Sequence, residues 1–138
     1  MAYLEFSDYT RLGFNTVDKD VFSDLLPKAT RQLDGLTLDF YKRKHNFQED
    51  LQSDQDVLRY RAESFQIALG LTIDFMYESG ITSTLELANA NTPSVTIGRT
   101  RVDATNQAKA LVSSAQGYVV PDEAVRQIAP YGLLYRGG

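Results

Sequence analysis

Side chains able to do chemistry are few and scattered. The one histidine, His45, sits behind Lys42, Arg43 and Lys44. An imidazole base needs a carboxylate to orient it and a nucleophile to serve, and no sequence cue marks either. Like-charged neighbours place it instead in a solvated loop, with the Lys-Arg-Lys run as a helix end whose cations suit the C-terminal dipole. That run has the charge to touch phosphate or an acidic partner. Asp50, Asp54 and Asp56 have oxygens for calcium, but the stretch lacks the mid-loop glycine and closing glutamate of an EF-hand. Ser113-Ser114 has no nucleophile-elbow context, and no Gly-rich run ends in Gly-Lys-Ser/Thr. Cysteine is absent, which removes disulfides, thiolate nucleophiles and cysteine-ligated zinc together. These residues predict no catalytic site, no cofactor and no metal: a binding protein rather than an enzyme.

Stepping outward, 138 residues suit one domain able to bury most of its apolar surface. No apolar run reaches the roughly 18 residues of a membrane span. Met1 to Phe6 shows no basic region followed by an apolar stretch, so no secretory signal is expected and a cytoplasm is the expected place of synthesis. A net charge of −4 makes the chain a poor gripper of duplex DNA, because such affinity depends largely on Lys and Arg neutralising phosphates.

Hydrophobic spacing supplies the frame. Phe6 to Leu12 suggests a brief helix ended by Gly13. Phe22, Leu26, Ala29, Leu33, Leu36 and Phe40 recur at helical intervals, which predicts a helix over 18–41 with Pro27 kinking or dividing it. Lys42 to Ser53 reads as a connecting loop. A longer helix is predicted over 54–78, with Leu58, Ala62, Phe65, Leu69, Ile73 and Met76 as one stripe and Ile67, Leu71 and Phe75 as a second. A helix apolar on two sides is central to a core or shared with a neighbouring subunit. Leu26, Leu33, Leu36, Phe65, Leu69 and Ile73 are the expected core.

Beyond Gly80 the pattern changes. Asn89 to Pro93 reads as a loop. Val95, Ile97, Gly98, Arg99 and Arg101 suggest a small β-hairpin over about 94–102 with a glycine turn. Asp103 can cap a helix over 104–116, and Pro121 with Asp122 and Glu123 opens a last short helix. The chain ends Gly132-Leu133-Leu134-Tyr135-Arg136-Gly137-Gly138, an apolar and aromatic tail between glycines. Tyr and Arg concentrate binding energy at interfaces, so Leu133, Leu134, Tyr135 and Arg136 are the candidate docking residues. Tyr60, Tyr77, Tyr118 and Tyr131 are either interface anchors or buried tyrosines with a satisfied hydroxyl.

This ending, with Pro121-Asp122-Glu123-Ala124 before it, resembles the head-to-tail connector (adaptor) proteins of long-tailed bacteriophages. So do Tyr3-Leu4 to Asp8-Tyr9, the stretch Phe22 to Ala29 leading to Asp34-Gly35-Leu36-Thr37, and Ser94-Val95-Thr96-Ile97-Gly98. The resemblance implies a mainly α fold: a small helical bundle of two long helices, a short β-hairpin and an extended C-terminal tail. It further implies a helical domain over 1–131 and a docking tail over 132–138. It implies a homo-oligomeric ring, commonly a dodecamer, between portal protein and stopper or tail-completion protein at the virion neck. DNA would pass through the channel without sequence-specific binding, and the mild acidity would limit sticking. Arg99-Thr100-Arg101 makes the hairpin more basic than the family pattern. The alternative is a small regulatory or scaffold protein that binds a host partner through the same tail.

Overall fold

The computed structural model describes residues 3–43, 46–90, 114–115 and 118–134. It is a small, mainly helical domain. The first helix, α1, spans Phe6–Arg11; Glu5 and Asp8 close a capping box at its start, and Gly13 leaves it at φ 99°. Helix α2 spans Lys19–Leu36, where the Asp18 carboxylate accepts the Val21 amide at 2.9 Å. Such a cap satisfies a donor that the first helical turn leaves open. Pro27 lies inside α2, on an exposed position, and the helix continues through it.

The expected helix over 18–41 stops early for a different reason. Leu38 and Asp39 both take left-handed backbone, φ 57° and 58°, and the chain restarts as α3, Phe40–Arg43. The segment read as a loop holds a further short helix, α4, Phe47–Leu51, capped by the Asn46 side chain on the Glu49 amide.

Helix α5, Asp56–Ser79, is the axis of the domain and ends at Gly80 in the left-handed region. It packs against α2, α4, strand β2 (Tyr118–Pro121) and helix α7 (Asp122–Ile128). Ala62, Phe65, Leu69, Ile73 and Met76 are buried along one side, meeting Phe22, Leu25, Ala29, Leu33 and Leu36 of α2. Leu26 is only half-buried; Leu25 takes the core position expected of it. The second stripe, Ile67, Leu71 and Phe75, is half-buried.

Two aromatic groups flank this axis. Tyr3, Tyr41 and Phe47 gather on Phe65 with ring centroids 4.9–6.2 Å apart, mostly edge to face. Phe6, Tyr9, Phe14 and Phe22 form the other group. Such pairs add about 0.5–1.5 kcal/mol beyond their burial. Phe14 lies so close to α5 that a Cβ on Gly70 would fall 2.3 Å from its ring, so glycine there is a packing requirement.

Helix α6, Thr84–Ala90, includes Asn89, which was expected in a loop. Its start is fixed by the Ser83 hydroxyl accepting the Glu86 amide, while Glu86 accepts from Thr82. Strand β1, Ser114–Ala115, pairs antiparallel with β2, and the Val119 amide donates to Gln32 of α2 at 3.0 Å. Those two residues were expected to close a helix over 104–116; the remainder of that helix and the expected hairpin over 94–102 lie outside the described residues. Pro121, in extended backbone, immediately precedes α7, and a 3-10 turn, Ala129–Tyr131, leads to Gly132 at φ 77°.

Candidate functional site

Of the expected tail, the structure describes three residues, and they correct one expectation. Gly132 turns the chain, and Leu133 enters the domain's own core with 1% of its surface exposed. Leu134 is half-buried against that core. Leu133 therefore belongs to the folded domain rather than to a free docking segment. Packed structure runs past the expected boundary at 131. Tyr135 and Arg136 lie outside the described residues, as do Val95, Ile97, Gly98, Arg99 and Arg101. The tyrosines divide: Tyr60 and Tyr77 are exposed on α5, at 45% and 53%, whereas Tyr118 and Tyr131 are partly covered.

The aspartates and tyrosines that chemistry would call on are engaged structurally. Asp50 is buried, and its Oδ2 accepts from the Tyr41 hydroxyl and from Arg61 Nε, both at 2.8 Å, with Arg61 Nη2 in ion-pair contact at 2.7 Å. Arg61 also lies over the Phe40 ring at 4.9 Å. Burial, followed by the Asp50 contact, drives the Tyr41 hydroxyl well above its ordinary pKa, so it stays a donor. Tyr9 donates to Asp74 Oδ1 at 2.5 Å and accepts the Val17 amide, while Thr16 holds the other Asp74 oxygen at 2.9 Å. Burial, then the bond to Asp74, pushes the Tyr9 hydroxyl up to about 12. Sequence spacing had no means to find these networks, which join residues from different elements.

Asp34 is the odd group. It is buried on α2, its oxygens have no hydrogen-bond donor in good geometry, and Lys42 Nζ stands 3.8 Å away. Burial raises its carboxyl above the ordinary range, which the nearby Lys42 and Tyr3 offset in part. Asp39 adds to the rise, so the carboxyl answers to one neighbouring acid as well as to Lys42 and Tyr3. Among the described residues, no three His, Asp or Glu side chains gather as metal ligands. None of the described helices is long and apolar enough to cross a membrane.

A groove of about 440 Å³ opens between α5 and α7, with Leu71, Phe75 and Pro121 on its apolar side. Asp74 and Glu78 line it from α5; Asp122, Glu123 and Arg126 line it from α7. Glu78, Asp122, Glu123 and Arg126 are exposed, and none joins the ion pairs formed among the described residues. The second stripe of α5 thus ends in a half-open, acidic cleft. Its size is in the range of peptide and small-ligand sites.

The described residues form a small, mainly helical domain organised around one central helix. Comparison with known proteins supplies the lineage. The chain is 30% identical over 139 aligned residues to the uncharacterized protein ORF4 of Lactococcus phage LL-H, covering 98% of this chain and 95% of that protein. It is 27% identical over 140 aligned residues to the uncharacterized protein ORF4 of Lactococcus phage mv4, covering 99% and 96%. The chain belongs to this family of phage ORF4 proteins and is a bacteriophage protein. No protein-family model matches it, and no solved structure matches it.

Proposed function

We propose that this protein is a non-enzymatic structural component of the virion, a ring at the head-to-tail interface that bridges the portal to the stopper or tail-completion protein. The chain assembles with copies of itself, commonly as a dodecamer, in the host cytoplasm, and ends in the neck of the particle. DNA passes through the channel without sequence-specific contacts. No membrane or cofactor takes part.

The observation that carries this reading is the anchored C-terminus. Helix α7, the 3-10 turn, the left-handed Gly132 and the buried Leu133 fix the chain just ahead of Tyr135 to Gly138 in sequence. A short sequence rich in Tyr, Arg and Gly that follows such an anchor along the chain suits insertion into a partner: the aromatic and guanidinium groups supply contacts, and the glycines permit close backbone approach. Phage membership and the ordered resemblance to adaptors point that partner towards the portal. The acidic balance suits a channel that must let a polyanion slide.

Localisation tests it directly. Antibody labelling or electron microscopy of particles should place the protein in the neck, and a phage lacking its gene should accumulate heads without tails. A gene deletion that leaves joined, infectious particles would remove the neck assignment. It would favour the alternative of a host-directed regulatory or scaffold protein acting through the same terminus.

A further inference from the structure

We propose that the acidic groove between α5 and α7 of one copy receives the Arg99-Thr100-Arg101 segment of the next copy. The proposal rests on the ring reading above and identifies the contact from which such a ring is built. A ring requires a heterologous interface, in which two unlike patches of the same chain meet head to tail. This chain has two patches of opposite character.

The receiving patch is open and prepared. Leu71, Phe75 and Pro121 give it an apolar floor, and four carboxylates face it against one Arg126. Asp74 is held from behind by Tyr9 and Thr16, so it is already oriented before any partner arrives. Glu78, Asp122 and Glu123 are exposed and without ion-pair partners among the described residues. The groove lining carries four carboxylates and one guanidinium, so it offers a cation an excess of negative charge.

The entering patch is the segment Val95 to Arg101. It carries Arg99 and Arg101, and 91–113 as a whole adds Lys109 against a single acid, Asp103. In sequence, the apolar Val95 and Ile97 come just before the basic Arg99 and Arg101. An apolar pair followed by a basic pair matches an apolar floor with an acidic rim. Arg is the residue best suited to such a site, since its planar fork can hold two carboxylate oxygens at once.

The absence of cysteine gives a clean test. One full-length protein carries Glu123→Cys and another carries Thr100→Cys; the two are mixed at high concentration under mild oxidation. The expected product is the mixed disulfide dimer, several-fold in excess of either homodimer. Adding Arg99→Glu and Arg101→Glu to the second protein should lower its yield at least tenfold. Adding Glu78→Lys and Asp122→Lys to the first should then restore it. Glu78→Cys serves as a second attachment point should Glu123→Cys disturb α7, as helical circular dichroism would reveal.

Yields indifferent to charge reversal, or a mixture giving only homodimers, would overturn the proposal. So would a single chain bearing both cysteines that closes on itself as a monomer while the mixture gives nothing, because the groove would then serve its own chain. Failure here with the protein still found in the neck removes this contact and leaves the ring. Absence from the neck removes the ring itself.

Discussion

Arg61 shows at the level of one residue how a polar group can be built into an otherwise apolar domain. Its guanidinium reaches Asp50 Oδ2 through Nε and Nη2, while Tyr41 donates to the same oxygen. Replacing Arg61 with Ala strands a buried carboxylate, and the expected loss is about 3–5 kcal/mol in chemical denaturation. A loss below about 1 kcal/mol would show that the network is ornamental. Gly70→Ala poses two opposed effects. Alanine gains about 1 kcal/mol in helix propensity, but its methyl would lie 2.3–2.8 Å from three Phe14 ring atoms. Overpacking typically costs about 1–3 kcal/mol, so the net change should be destabilising and visible as a lower Tm.

Asp34 sets a pH signature at the same scale. Its folded-state pKa is raised, chiefly by burial, so the native state holds a proton that the unfolded chain has already released. Stability from this group is therefore present below the unfolded pKa and declines as pH rises through the folded one. Asp34→Asn should raise Tm near neutral pH, with the gain over the parent shrinking as the solution is acidified. Melting curves over a pH series check the sign; a gap that widens in acid would contradict it.

Among elements, α5 was legible in sequence because its apolar positions hold a helical period for six turns and Gly80 supplies an ordinary stop. Leu69 sits at its centre, fully buried, and Leu69→Ala should cost about 2–5 kcal/mol in unfolding free energy. The end of α2 was not legible. Leu38 and Asp39 take left-handed backbone without being glycine, so nothing in residue type announced the break. Helix α4 is too short to show periodicity and hid among polar neighbours, although Asn46 could have been read as its cap. Helix α6 was missed despite a readable signal, the Ser83 to Glu86 spacing of a capping box. The groove had no sequence signal, because Leu71 and Phe75 meet Pro121 and Glu123 only after β2 lays α7 against α5. Its apolar half was half-visible as the second stripe of α5.

For the whole molecule, the decisive question is how far the packed domain runs towards residue 138. The buried Leu133 moves that boundary outward from 131 and makes two truncations informative where one would mislead. Removing 133–138 takes a core leucine away with the tail, and the expected cost is again about 2–5 kcal/mol, so a failure of such a protein in assembly would report on folding as much as on docking. Removing only 135–138 leaves Gly132, Leu133 and Leu134 in place. Its stability should stay within about 0.5 kcal/mol of the parent, the range expected of changes outside the core. Any docking by those last residues rests on Tyr135 and Arg136, the two side chains among them able to supply aromatic and charged contacts. The shorter truncation should therefore fold normally, melt at the parent's temperature and fail to join tails to filled heads in a complementation assay. If it restores full titre to a phage lacking the gene, the terminus carries no docking function and the neck contact must be sought elsewhere on the domain.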